Sequence, residues 1–511
     1  MRENDRLHWV RVIVLLGSAA CELTPEASLA RRGLALQATD RIETAAEGDG
    51  SDAGRDEDAG SAADLLDQLR ALPGVADVGE TPTSVPGARA FSFTLALPID
   101  HTRPETGTFS LRMQLLHRGY DAPTVLSSSG YRLFGVTPFD NELSYVLSGN
   151  IVAVEHRFFG PSTPLRKGDA EPPVEAWQYL TITQAAADNH RVVEVLRGLY
   201  PGAWLSTGAS KGGMTSVYHR RFYPDDLQGT VAYVAPHSEG TDDPRYSAFL
   251  EQVGDASCRQ RIVALQRDLL TRREEVLPEL ERRAAARGWT FEHIGFETAF
   301  EHIVIEYRWA FWQYGYAADC DAIPEPGSDV NVLLDAVADV LPLDLASDQS
   351  TLSVDGFAAY FYQSATQLGA YLPPEQHLSD LLKFPGTDTA QAYAPLPNLV
   401  FDPAPMRDVG AWVRDEAEHV ILVYGENDPW TAGELAIGEG RDVHKYIVPG
   451  GNHGAGLLDT TLPDDDRAEA FGVLQAWTGV TPREPTAAVV TALRARRVEE
   501  SQLRDRTRAR Q

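Results

Sequence analysis

Short apolar runs closed by turn residues recur along the chain, and stretches with helical spacing separate them. Phe91–Leu97 alternates apolar and polar side chains and predicts a half-buried strand, and Phe109–His117 predicts an antiparallel partner for it. Thr124–Leu126, Asn150–Gly160, Trp204–Thr207, Val231–Pro236, Val420–Tyr424 and Tyr446–Val448 are β-branched or otherwise apolar runs that predict buried strands. Thr183–Leu199 predicts a helix, with Ala186, Val192, Val193, Leu196 and Leu199 at helical spacing and Asp188 and His190 on its polar face. After about Ser238 the pattern changes to helices. Ile262–Arg287 is charged and amphipathic, with a kink or break expected at Pro278. Phe300–Tyr316 is rich in aromatics, Gly356–Tyr371 is a third helix, and Arg467–Trp477 closes the series. The organisation expected is therefore an α/β sheet over 90–237, a helical block over 238–390, and a return to the sheet over 391–480.

The two ends read differently. Residues 1–21 have an arginine-bearing start, a short apolar core and Gly17-Ser18-Ala19-Ala20-Cys21, the form of an export signal whose end resembles a lipoprotein cleavage box with Cys21 as the acylated residue. Residues 22–89 are expected to be an acidic linker, disordered from Glu43 to Asp64, with a short helix at Leu65–Leu72. Residues 481–511 read as a loosely attached, charged C-terminal tail.

Composition narrows the function. The chain has 511 residues, 43% of them hydrophobic, enough for a large core. Its 74 acidic residues outnumber the 45 basic ones, for a formal charge of -29, which argues against nucleic-acid partners and for a protein in an extracytoplasmic setting. No Cys/His grouping has metal-ligand spacing and no glycine loop suits a nucleotide, so no cofactor is expected. The only membrane attachment expected is through a lipid at Cys21.

The candidate chemistry lies at strand ends. Gly208-Ala209-Ser210-Lys211-Gly212 follows a buried strand and precedes a helix expected to begin near Met214. This is a nucleophile elbow, a sharp turn that lifts the serine hydroxyl above the sheet; alone it is equally an ordinary Gly/Ser-rich turn. Asp428 ends the Val420 strand and His453 ends the Tyr446 strand, so the order Ser, Asp, His is that of α/β-hydrolases. A serine hydrolase is the expectation. The loop Ser127–Tyr131 then points to the backbone N–H groups of Tyr131 and Lys211 as oxyanion donors. His156 also follows a strand, but a packed or ion-paired histidine is the simpler reading, since His453 already supplies the base. Of the three cysteines, Cys21 is set aside by the signal, and an even remainder in an exported chain suggests that Cys258 and Cys320 are bonded; two free thiols are the alternative.

Several further stretches fall in one order: Val154–Ser162, Trp177–Thr181, Gly208–Gly213, Glu306 with Phe311–Gly315, Asn427–Trp430 and Gly451–Gly454. Together they resemble the bacterial secreted tripeptidyl aminopeptidase family of serine peptidases, which has proline-preferring members and is related to prolyl carboxypeptidase. The resemblance covers about residues 90–480. It implies an α/β-hydrolase fold with a helical cap between nucleophile and acid, peptide substrates, and release of tripeptides from free N-termini after proline. It assigns Ser210 as nucleophile, Asp428 as acid and His453 as base, and it departs from the family where Ser129 stands in place of an acidic residue before Gly130-Tyr131. An enzyme that trims free ends needs a carboxylate for the substrate ammonium. Glu306 on the aromatic helix is the first choice and Glu301 the second, against the plainer reading of solvent-facing helix carboxylates. An esterase or lipase with the same triad and a non-catalytic binding protein on the same fold are the rival functions.

Overall fold

In the computed structural model, described for residues 64–493 except 136, 137, 139, 166–168 and 170, one nine-stranded sheet forms the body. The strands are β1 (Val75–Thr81), β2 (Arg89–Pro98), β3 (Thr108–His117), β4 (Thr124–Ser128), β5 (Asn150–Val154), β6 (Trp204–Ala209), β7 (Gly229–Tyr233), β8 (Val420–Gly425) and β9 (Val443–Val448). Their order is β1-β2-β3-β5-β4-β6-β7-β8-β9. The first three strands meander antiparallel, and β2 pairs with β3 in unbroken register from Arg89↔His117 to Pro98↔Thr108. From β5 through β9 every neighbouring pair is parallel, so all these strands present their C-terminal ends on one side. The exchange of β4 and β5 in an otherwise sequential parallel order is the α/β-hydrolase arrangement, and loops at the C-terminal strand ends are where such sheets place their sites.

Helices cover both faces, because strands apolar on both faces must be buried twice. We label the main ones α1 (Leu65–Arg70), α2 (Ile182–Leu196), α3 (Lys211–Phe222), α4 (Ala256–Thr271), α5 (Arg273–Arg287), α6 (Phe296–Tyr314), α7 (Val330–Val340), α8 (Ala358–Gln363), α9 (Ala404–Asp415) and α10 (Asp464–Thr478). One core packs Val192, Val193 and Leu196 of α2 against Leu126 and Val152 of the sheet. On the other face Leu474 and Phe471 of α10 meet Leu205, Val231 and Ile421. Each such side chain contributes about 1.5–3 kcal/mol by leaving water. Between β7 and β8, helices α4–α7 build a separate core around Leu265, Leu269, Phe300 and Trp312.

Several local expectations change. The ordered chain begins well before residue 90: α1 is capped by the Asp64 carboxylate, and β1 adds an edge strand to β2. Val-Ala-Asp-Val-Gly-Glu-Thr is half exposed, as an edge strand should be, and so lacks the apolar run that marked the others. The break falls between α4 and α5 at Arg272, and Pro278 sits inside α5, which continues through it to Arg287. The third cap helix is only α8, continued by one wider turn over Ser364–Leu368 and stopped by Gly369 at φ 74°. Asp188 is not on a polar face; it is 3% exposed and accepts two hydrogen bonds from Arg157, at 2.6 and 2.7 Å. The tail is packed as far as it is described: residues 487–493 are helical, and Val490 and Leu493 are buried against α10. The expected signal, Cys21 and the linker up to residue 63 lie outside the described residues.

Candidate active site

Ser210 is set by the turn between β6 and α3. Its backbone has φ 56° and ψ -128°, a conformation that non-glycine residues rarely adopt and that costs on the order of 1–3 kcal/mol. The Ser210 N–H donates to Tyr233 O at 2.9 Å, and the Ser210 carbonyl accepts from Met214, so the helix starts at Lys211 directly after the serine. The turn closes because Gly208 has no side chain: a Cβ there would lie 2.4 Å from the Gly212 carbonyl carbon. Gly-x-Ser-x-Gly is therefore the turn that strains a serine, and not merely a flexible one.

Asp428 and His453 come together from the ends of β8 and β9. Asp428 is fully buried; its Oδ1 caps the following turn by accepting from Trp430 N, and its Oδ2 accepts from His453 Nδ1–H at 2.7 Å. A carboxylate can only accept here, so the proton is on Nδ1 and the lone pair of the neutral ring is on Nε2. Nε2 is buried with no protein partner among the described residues, and His453 and Ser210 border one cavity. The His453 loop is clamped by the end of α6: His453 N–H donates to Gln313 O at 3.0 Å, and Asn452 Nδ2 reaches Tyr314 O and Gly315 O at 3.1 Å each. Gln313 and Asn452 hold the base in place. Their signal in the sequence was their presence in the resembling stretches, with no role attached.

The loop after β4 lies against the elbow. Gly130 has φ +71°, and a Cβ there would stand 2.3 Å from Gly212 N. The Lys211 ammonium is buried, donates to Gly130 O at 2.7 Å, and lies over the rings of Phe159 and Tyr131 at 5.0 and 5.6 Å. That side chain, which the sequence reading passed over, fastens the loop to the nucleophile helix. The Tyr131 N–H is turned to the Ser129 hydroxyl at 3.2 Å, and that hydroxyl in turn donates to Tyr131 O. The departure at Ser129 thus engages one expected oxyanion donor within its own turn. His156 is packed: it is 5% exposed, its Nδ1 donates to Arg157 O at 2.8 Å, and its ring meets Phe159 edge-on. Burial first, and then the Lys211 ammonium, hold it neutral far below the usual histidine range.

The cap walls the cavity, whose interior is about 160 Å³. That is space for on the order of ten waters. Trp309 of α6 stacks on Tyr371 at 3.5 Å, with Trp430 edge-on to both. Glu306 shares this wall with Ser210 and His453. It is 7% exposed, its Oε2 accepts from the Tyr371 hydroxyl at 2.6 Å, and no cation pairs with it among the described residues. Burial, reinforced by the nearby charge of Asp388, pushes its carboxyl well above the usual range. Glu301 does not join it. That side chain is fully buried and already neutralised, pairing with Arg273 and accepting from Lys383 N and Phe384 N at 2.8 Å each. It holds the cap together and cannot meet a substrate.

Cys258 on α4 and Cys320 in the turn over Ala317–Ala322 are bonded, with Cα atoms 5.3 Å apart. Among the described residues there is no group of His, Cys, Asp or Glu suited to a metal ion, and no helix is long and apolar enough to cross a membrane.

Comparison with known proteins shows the family. Residues 58–510 match the family described as PS-10 peptidase S37. The prolyl tri/tetrapeptidyl aminopeptidase of Streptomyces mobaraensis is 38% identical over 82% of this chain and 86% of its own length. The lysosomal Pro-X carboxypeptidase of Bos taurus is 31% identical over a shorter stretch, 20% of this chain and 21% of its own. The solved proline iminopeptidase of Mycobacterium smegmatis covers 80% of the chain at 12% identity with a TM-score of 0.31, and adds nothing to what the strand order itself states.

Proposed function

Since this chain belongs to the peptidase S37 family and is a serine peptidase, we propose that it releases short peptides, tripeptides ending in proline above all, from free N-termini through an acyl-enzyme on Ser210. The observation that carries this reading is a single cavity bordered by Ser210, His453 and a buried Glu306 that pairs with no cation among the described residues. His453 Nε2 takes the Ser210 proton as the hydroxyl attacks the scissile carbonyl, and later gives it to the leaving amine. Asp428 holds the ring in the required tautomer and stabilises the imidazolium. The Lys211 amide, first in its helix, meets the oxyanion. The Tyr131 amide joins it by exchanging the neutral Ser129 hydroxyl for a charged oxygen, the stronger acceptor. Flat aromatic walls at Trp309, Tyr371 and Trp430 suit a proline ring, which packs face-on without needing a hydrogen bond. Glu306 takes the substrate ammonium in a charge-assisted hydrogen bond.

An esterase would share the triad, yet it has no use for a buried carboxylate on the wall. An extracytoplasmic site of action fits the bonded cysteines, since disulfides persist in oxidising compartments. The test is to compare hydrolysis of Ala-Ala-Pro reporters with free and N-acetylated ends, and to label the protein with a fluorophosphonate. Wild type should prefer the free amine by about tenfold or more. Ser210→Ala should lose both labelling and about a million-fold in rate. Equal rates on free and acetylated reporters would overturn the free-end reading, and undiminished labelling of Ser210→Ala would place the nucleophile elsewhere.

A further inference from the structure

Lys211 carries its charge in an unfavourable place. It is the first residue of α3, at the positive end of the helix dipole, and it is 2% exposed. Dipole and loss of water both oppose an ammonium there. Its contacts give the charge a use. Nζ donates to Gly130 O at 2.7 Å and lies over the rings of Phe159 and Tyr131. Gly130 O and the Tyr131 N–H belong to one peptide unit. Such a unit is planar and trans, so its carbonyl and its N–H point in opposite directions. An ammonium bound to the carbonyl therefore fixes which way the N–H faces.

The same peptide is held from its other sides. Gly130 packs so closely on the elbow that a Cβ there would lie 2.3 Å from Gly212 N and 2.6 Å from Lys211 C. Tyr131 O accepts from His156 N–H at 3.0 Å and from the Ser129 hydroxyl. The Tyr131 N–H makes the longest of these hydrogen bonds, 3.2 Å to Ser129 Oγ. Tyr131 also borders the cavity that Ser210 and His453 share. A charged donor on a peptide oxygen draws electrons from the peptide nitrogen, and hydrogen bonds in such a chain strengthen one another where water is excluded.

We infer that Lys211 is a positioning residue for the oxyanion: through Gly130 O its ammonium sets the direction of the Tyr131 N–H and strengthens that N–H as a donor to the negative oxygen formed when Ser210 attacks. The ground-state carbonyl is a neutral acceptor and gains little from a stronger donor. The tetrahedral oxyanion gains most, so the effect lies in kcat and not in KM. The inference rests on acyl transfer through Ser210 and is independent of the free-end reading.

The test is Lys211→Met, which keeps the length of the side chain and removes its charge and its donors. With a small acyl ester, kcat should fall about tenfold to a hundredfold, the worth of one charge-assisted hydrogen bond, with KM unchanged. Two inhibitors read the same effect without turnover. Ala-Ala-prolinal forms a tetrahedral adduct with Ser210, its oxygen facing the donors, and should bind the variant more weakly by the same factor. Ala-Ala-pyrrolidide keeps the ammonium and the ring, lacks the carbonyl that Ser210 attacks, and should bind wild type and variant equally. A lysine that only supports the walls of the cavity would weaken both inhibitors together and raise KM, and that result overturns the inference, as does an unchanged kcat. Lys211→Gln keeps a neutral donor and should lose less than Lys211→Met. It serves if the methionine variant does not fold, and weakening of both inhibitors by glutamine overturns the inference in the same way. In a double variant with Gly130→Ala the two losses should not add, because Lys211 acts through that loop; losses that multiply overturn this route. Failure of Ala-Ala-pyrrolidide to bind wild type would count against the free-end reading alone, and kcat and KM on the ester would still decide the role of Lys211.

Discussion

Gly130 illustrates how much of the site hangs on single atoms. Its φ of +71° and the 2.3 Å that would separate a Cβ from Gly212 N leave no room for any side chain. The contact holds the Tyr131 amide beside the Ser210 turn, and Lys211 fastens it through Gly130 O at 2.7 Å. Gly130→Ala should push the loop away from the elbow and misplace an oxyanion donor. A loss of about 10²–10³ in kcat is expected, the cost of removing one such donor. Because the oxyanion hole serves every acyl substrate, peptide and ester hydrolysis should fall by the same factor, with the circular dichroism spectrum unchanged. A loss confined to peptides would mean that the loop contacts the substrate chain and not the oxyanion.

At the scale of elements, α6 joins cap and sheet. Its first half carries Glu301, which ties it to Arg273 at the start of α5, and its middle carries Glu306 on the cavity wall. Its end hydrogen-bonds the loop of His453. The Cys258–Cys320 bond braces this assembly by closing a loop with a sequence separation of 62. In the chain-entropy picture a loop of that size is worth about 4 kcal/mol. Reduction, or the double change Cys258→Ser and Cys320→Ser, should lower the thermal midpoint and weaken free-amine selectivity as α6 loosens. Melting curves with and without reductant test this. Alkylation of both cysteines without prior reduction would show that the pair is open in solution.

For the whole molecule, the buried carboxyls of Asp388 and Glu306 make stability depend on pH in a direction opposite to ordinary surface carboxylates. Asp388 holds its proton up to about 7, and Glu306 is raised as well. Unfolded, both would ionise near 4. Between about pH 4 and 7 the folded protein therefore binds more protons than the unfolded chain, so this contribution to stability falls as pH rises through that window. Asp100 works the other way: the Thr102 hydroxyl, with other donors, holds it far below its usual range, so its stabilisation is present above pH 4 and lost below. Asp388→Asn should accordingly melt higher than wild type at pH 8, by on the order of 1–3 kcal/mol, with the gap closing toward pH 4. Scanning calorimetry of both proteins across pH decides it; a constant gap would show that Asp388 stays ionised throughout.

What the amino-acid order determined by itself was the part written in local patterns. Apolar runs marked the buried strands, because a strand covered on both faces bears few polar side chains and must hydrogen-bond those it has, as Ser206 and Thr207 are, and the Gly208–Gly212 turn and the residues after β8 and β9 marked Ser210, Asp428 and His453. β1 escaped notice because an edge strand is half wet, and the break expected at Pro278 falls at Arg272, because α5 carries its proline at an interior position without ending there. Only the folded arrangement decided between Glu301 and Glu306. Both lie on one helix and look alike in sequence, but Arg273 and two backbone amides neutralise the first, and the second borders the cavity with no cation paired to it among the described residues. Asp388 had no sequence signal, since an isolated acid in a loop is ordinarily solvated. Its burial comes from neighbours such as Tyr393 and the distant His302, and it leaves one carboxylate oxygen without a partner among the described residues. Charge and burial of that kind are properties of neighbours in space, and a linear pattern cannot hold them.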